Sequence, residues 1–121
     1  MNSPLRPANS LTTIFLYRDP IDFRKSYRGL AAIVESELGA NPFDGALYVF
    51  TNRRRNKLKC LFWETSGFVL YYKILAEEKF KWPKHDDQVI NLTGQQMNWL
   101  LDGYDLSQMR GHKALHYESV F

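Results

Sequence analysis

The chain has 121 residues, 45% hydrophobic and 24% charged, a composition that fits one folded domain and excludes a disordered chain. No run of about 18 apolar residues suggests a membrane span, and the start lacks the apolar stretch of a secretory signal. The single cysteine excludes an internal disulfide framework and points to a reducing cytoplasm. The net charge is only +3, so the placement of charge says more than its amount.

Residues 1–10 are rich in Pro, Asn and Ser and read as a flexible arm ahead of one domain over 11–106, with a tail over 107–121. Thr12 to Tyr17 has the composition of a first strand. A helix is expected next, with Asp19 as N-cap, Pro20 in the first helical position and Asp22 in the third. Phe23, Tyr27, Leu30, Ala31, Val34 and Leu38 recur at helical spacing, and Gly39 supplies the stop. Arg24, Lys25 and Arg28 share another flank of its first two turns. Asn41 to Gly45 is a turn. Three strand-like runs follow, at 46–51, 57–64 and 68–75, the last two joined tightly through Thr65-Ser66-Gly67.

Phe80-Lys81-Trp82 reads as a short strand that Pro83 ends, and Val89 to Leu92 as an edge strand. The second helix has the clearest start: Thr93 and Gln96 form a capping-box pattern, flanked by Leu92 and Met97 at the staple positions. Gly103 marks its end, and a Schellman turn there would bring Tyr104 back toward Trp99. Strands in sequence flanked by helices predict an α+β domain, an antiparallel β-meander of about five strands packed with two α-helices.

The chemistry concentrates in one place. Arg53, Arg54, Arg55, Lys57 and Lys59 fall within seven residues with no acid among them, in and beside the turn between two apolar runs. A cationic hairpin tip suits phosphates, and one of its arginines can address a base edge. Five such contacts to duplex DNA would give a log–log salt slope of about −4 to −5. Two other readings stay open: a solvated loop that protects the sheet from edge pairing, and a contact for an acidic protein. Arg24, Lys25 and Arg28 would extend the patch if the fold brought them to the same side.

Other features read more plainly. Phe62, Trp63, Phe68, Tyr71, Tyr72, Phe80 and Trp82 suit a packed core, although exposed rings on a sheet also stack unpaired bases. Asp22, Asp44 and Glu64 are the carboxylates to consider for a metal-dependent phosphoryl transfer. Capping accounts for the first and the Pro-Phe-Asp-Gly turn for the second. His112 and His116 have zinc-like spacing without a nearby cysteine pair. Cys60 shares strand parity with Leu58 and Phe62, as a buried thiol would. No phosphate loop or hydrolase motif is present, so no catalytic residue, metal or cofactor is expected.

Five ordered blocks carry a resemblance across residues 11–105: DFRKSYRGLAAIV (Asp22 to Val34), NPFDGALYVF (Asn41 to Phe50), NRRRNKLKCLFWETSGFVLYYKIL (Asn52 to Leu75), KFKWP (Lys79 to Pro83) and LTGQQMNWLLDGYD (Leu92 to Asp105). Together they resemble the TnpB accessory family, second-reading-frame products of bacterial insertion sequences of family sixty-six. That family is distinct from the RNA-guided nuclease of the same name. The resemblance implies a small, non-catalytic helper of DNA transposition, encoded beside a separate transposase, and supplies no catalytic residues to carry over. Arg28 stands where the family pattern has an acid, which makes this segment more basic, and the arginine-rich turn at Arg53 to Arg55 is intact. The expectation is a cytoplasmic, non-enzymatic accessory protein that binds DNA through the hairpin tip and so associates with the nucleoid. The alternative is an adapter that docks the transposase or another element-encoded protein.

Overall fold

The computed structural model describes residues 5–9 and 13–108. Five strands form one sheet: β1 Ile14–Tyr17, β2 Leu47–Thr51, β3 Lys57–Glu64, β4 Gly67–Ile74 and β5 Val89–Leu92, in the spatial order β4-β3-β2-β1-β5. The stretch from β2 to β4 is the expected meander, in unbroken antiparallel register. β5 lies antiparallel along the far edge of β1. The sheet is nevertheless mixed, because β1 and β2 are parallel. Helix α1, Tyr27–Ser36, separates them in sequence, and a parallel pair needs such a crossover. The class is α+β as expected, with a mostly antiparallel sheet in place of a pure meander.

β2 is buried at all five positions, which requires cover on both faces of the sheet. Leu47 and Val49 join a core with Ile14, Leu16, Ile90 and, from helix α2 (Gly94–Leu101), Met97 and Leu100. Tyr48 and Phe50 join the opposite core with Leu61 and with Leu30 and Val34 of α1. Complete burial of one ring such as Phe50 contributes about 2–3 kcal/mol. The buried strand thus anchors the turn that follows it.

The first helix starts later than its sequence suggests. Ser26, not Asp19, is the N-cap, with its side chain accepting from the Arg28 N–H. Residues 18–25 are held against the sheet instead. Arg18 N–H donates to the Gln88 carbonyl and Ile21 N–H to the Thr51 carbonyl. Asp19 pairs with Arg18 at 3.0 Å, so its carboxylate does not cap. Tertiary hydrogen bonds have outweighed good local helix-start chemistry here.

Helix α2 follows the reading closely. Thr93 and Gln96 make both bonds of the capping box. At the other end Gly103 N–H donates to Leu100 O and Tyr104 N–H to Trp99 O, with Gly103 at φ +94°. These are the two bonds of a Schellman turn. Part of the N-terminal arm docks on this helix: Ala8 is buried, and Arg6 pairs with Asp102 at 2.7 Å. Gly94 allows the approach, since a Cβ there would lie 3.3 Å from the Ala8 carbonyl.

The expected strand at Phe80-Lys81-Trp82 does not form. Phe80 N–H donates to the Arg55 carbonyl and Trp82 N–H to the Phe80 carbonyl, so neither enters a ladder. Both rings are still buried. Thr12 and the tail from residue 109, with His112 and His116, lie outside the described residues.

Thr93→Ala removes one half of the capping box and is expected to destabilise the fold by about 1 kcal/mol, read as a lower urea midpoint with an unchanged m-value.

Candidate nucleic-acid interface

The turn from Asn52 to Asn56 satisfies its own polar groups with its two asparagines. Arg55 N–H donates to the Asn52 carbonyl at 3.1 Å, and the Asn52 side chain accepts from Lys57 N–H at 3.1 Å. The same amide donates to Asn56 Oδ1 at 2.8 Å. The arginine side chains take no part in these bonds. Arg53 and Arg54 are exposed, and Arg55 and Lys57 are half-buried. Among the described residues none of the four makes a side-chain hydrogen bond or an ion pair.

Arg55 adopts φ +61°. For a residue with a Cβ this left-handed conformation costs about 1–2 kcal/mol, and glycine would fill it without that cost. Strain of this kind at a surface turn is the sort found where a side chain has work beyond folding.

Lys59 does not belong to the tip. It lies in β3 opposite Phe50 and Tyr72 and is 7% exposed. Its Nζ donates to the carbonyls of Phe23 at 2.9 Å and Lys25 at 3.2 Å. The ammonium also sits over the Phe23 and Tyr72 rings, 4.8 and 5.1 Å from their centroids, where a desolvated cation is attracted to the ring faces. Burial lowers its pKa, with the Lys57 charge adding to the effect. This lysine fastens residues 23–25 to the sheet. It is adjacent in sequence to the cationic cluster, but residues 23–25 cover its face of β3 and bury it, as the other core buries Leu58 and Cys60.

The remaining basic candidates border the side of the sheet. Arg24 forks onto Asp22, with contacts of 2.7–3.1 Å, and this pairing holds the Asp22 carboxyl well below the usual carboxylate range. Lys25 is exposed, and its carbonyl is tied to Lys59. Arg28 lies over the Tyr27 ring at 5.5 Å. That ring in turn meets Phe68, which pairs with Trp63 near the far end of β3. Trp63 stands roughly 20 Å along the strand from Lys57, at about 3.4 Å per residue. The ring contacts of Arg28 therefore lead toward the far end of β3 and away from the tip.

The fold adds cations that lie outside the turn in sequence. The chain after β4 crosses beneath the hairpin, with Leu75 N–H on the Asn56 carbonyl at 2.8 Å and Phe80 N–H on the Arg55 carbonyl at 2.7 Å. Phe80 and Trp82 are buried while Lys79, Lys81 and Lys84 are exposed. A cleft of about 1020 Å³ opens there, lined by Arg18, Arg55 and these three lysines, with Asp19 and Asp105 as its carboxylates. Arg18 is engaged by Asp19 and the carbonyls of His85 and Asp86. Asp105 is held low first by its bonds to Ser107 and then by Lys81 and Lys84. The signal for these lysines was available in Lys79-Phe80-Lys81-Trp82, where the alternation that buries the rings exposes the cations.

The carboxylates do not converge. Asp22 serves Arg24, and Asp44 accepts from Ala46 N–H and the Tyr48 hydroxyl at 2.9 Å each. Glu64 is exposed beside the β3–β4 turn. Among the described residues no three or more His, Cys, Asp or Glu side chains are grouped to hold a metal ion. Cys60 is fully buried, and burial pushes its thiol pKa up. The aromatics divide: Phe80 and Trp82 are buried, Phe62, Trp63, Phe68 and Tyr71 are half-buried, and Tyr72 is exposed. Among the described residues no helix is long and apolar enough to cross a membrane.

Residues 12–111 match the family described as IS66 Orf2 like protein. The chain belongs to that family. Two relatives come from Sinorhizobium fredii (strain NBRC 101917 / NGR234). The uncharacterized protein y4jC is 33% identical over 97 residues, covering 80% of this chain and 83% of its own length. The uncharacterized protein y4hO is 30% identical over 99 residues, covering 82% and 86%. No solved structure matches the chain significantly. Membership of the IS66 Orf2-like family implies an accessory role in the transposition of such elements.

In this IS66 Orf2-like protein Lys59→Met is expected to destabilise the fold by about 1–3 kcal/mol, because it leaves two inward-facing carbonyls without their donor. Thermal unfolding checks this. The same loss should loosen residues 23–25 first, as faster amide exchange there.

Proposed function

We propose that this protein assists transposition by binding DNA through its phosphates, with the turn at Arg53, Arg54, Arg55 and Lys57 as the grip. One observation carries the reading: four cations at a rigidly mounted tip, with no ion pair or side-chain hydrogen bond among the described residues. Cations paired inside the protein would have to be released before meeting a phosphate. These need no such exchange, and each phosphate contact releases counterions from the nucleic acid. The strain at Arg55 supports a role for that side chain. Lys59 is excluded from the interface, and Arg24 joins only on leaving Asp22. Lys25 is exposed beside β3 and forms the flank of the patch, while Arg28 stands apart. The protein holds DNA for a separate transposase and has no part in the strand chemistry. DNA binding of this kind would place it on the nucleoid.

A second reading, an adapter for the transposase or another element-encoded protein, is favoured by β4. Leu70, Tyr72 and Ile74 are 40%, 46% and 57% exposed on this edge strand. Its lysine, Lys73, is drawn away to the Leu101 carbonyl at 2.8 Å. A long edge without an outward charge is open to another chain. Pull-down of the transposase from nuclease-treated lysate separates the readings. Capture that survives nuclease and is lost on Tyr72→Lys supports the adapter.

For the DNA reading, four tip contacts predict a log–log salt slope of about −3 to −4 on duplex DNA. The Arg53→Ala, Arg54→Ala double variant should make it shallower by about 2, by fluorescence anisotropy. An unchanged slope and affinity would falsify the proposed grip. Arg55→Gly separates folding from binding: stability should rise by about 1 kcal/mol while DNA affinity falls.

A further inference from the structure

We infer that the cleft beneath the hairpin is a second phosphate site, a seat for the backbone of one nucleic-acid strand, with Lys79, Lys81 and Lys84 as its outer row and Arg55 as the residue shared with the tip. The inference deepens the DNA reading and rests on it. The three lysines are exposed and make no ion pair among the described residues. Asp105, a carboxylate of the same cleft, accepts from the Ser107 N–H at 3.0 Å and hydroxyl at 2.7 Å, and Lys81 and Lys84 act on its charge without pairing with it. The cleft therefore presents a cationic surplus, with Arg18, Arg55 and the three lysines against Asp19 and Asp105, whose charges offset only part of theirs.

Its position makes it a continuation of the tip. Arg55 lines the cleft, while its carbonyl holds Phe80 N–H at 2.7 Å, between Lys79 and Lys81. The buried rings of Phe80 and Trp82 stop the lysine row from shifting relative to the turn. A strand gripped by Arg53 and Arg54 would meet Arg55 next and then the lysine row.

The lining also says what the cleft cannot read. Trp82 is 6% exposed and its Nε1 donates to the Tyr17 carbonyl at 3.3 Å, so its ring offers no face for base stacking. The lysines are point charges without the planar fork that recognises a base edge. Both facts favour phosphates over bases as what the lysine row and Trp82 would meet, so this row should bind with little regard to sequence.

The test is a salt titration of Lys79→Ala, Lys81→Ala, Lys84→Ala beside Arg53→Ala, Arg54→Ala, using one arbitrary-sequence duplex and one of its strands as probes. The lysine variant should make the slope shallower by about 2–3 on duplex, or about 2 on the single strand. Arginine at the same three positions should restore it. The probe with the larger relative loss identifies whether the seat serves duplex or single strand. If wild type binds and the tip variant weakens binding while the lysine variant does not, the cleft is not a phosphate site and the tip reading stands. If wild type binds neither probe, both ideas fall. All three lysines are exposed, so the variant should melt as wild type does.

Discussion

The hydrogen bond from Phe80 N–H to the Arg55 carbonyl fixes how the basic parts of this protein lie relative to one another. One end is the strained residue of a hairpin turn. The other belongs to a loop whose two aromatic rings are embedded in the core. Through this contact, two cationic segments about two dozen positions apart in sequence become one surface. Neither would be well placed alone. The turn depends on the wholly buried β2 for its mounting, and the loop depends on Phe80 and Trp82 for its depth.

Charge in this chain serves two purposes, and burial separates them. Lys59 is an internal fastener: two carbonyls and two rings surround its ammonium, which makes it costly to remove and unable to reach a phosphate. Arg18, Arg24 and Arg6 are occupied by neighbouring carboxylates. The cations of the tip and of the lysine row make no ion pair among the described residues. A count of positive residues gives all of these equal weight, although only the second group can change partners cheaply.

Much of the fold was legible because its signals were local. Both hairpins, the edge strand at Val89–Leu92 and the caps of α2 follow from alternation, turn residues and reciprocal side-chain bonds. The start of α1 was not, since Asp19 and Pro20 make a good helix entry that hydrogen bonds to Gln88 and Thr51 override. The parallel pairing of β1 with β2 was equally hidden, because no local pattern states which strand a chain rejoins. At the site, the arginines of the tip could be read directly from Arg53 to Arg55. The lysine row reads in the sequence only as a short strand, and the burial of Lys59 has no local signal, since its parity is opposite to that of Leu58 and Cys60. Alternation would have placed the lysine row, but not Lys59, which is buried because residues 23–25 cover the second face of β3.

The most direct measurement is an amide chemical-shift titration of the isotopically labelled protein with duplex DNA. Residues 52–57 and 79–85 should shift together along one binding curve, while β4 and α1 stay fixed. Shifts confined to the β4 edge, or separate curves for the turn and the loop, would contradict a single phosphate-binding surface.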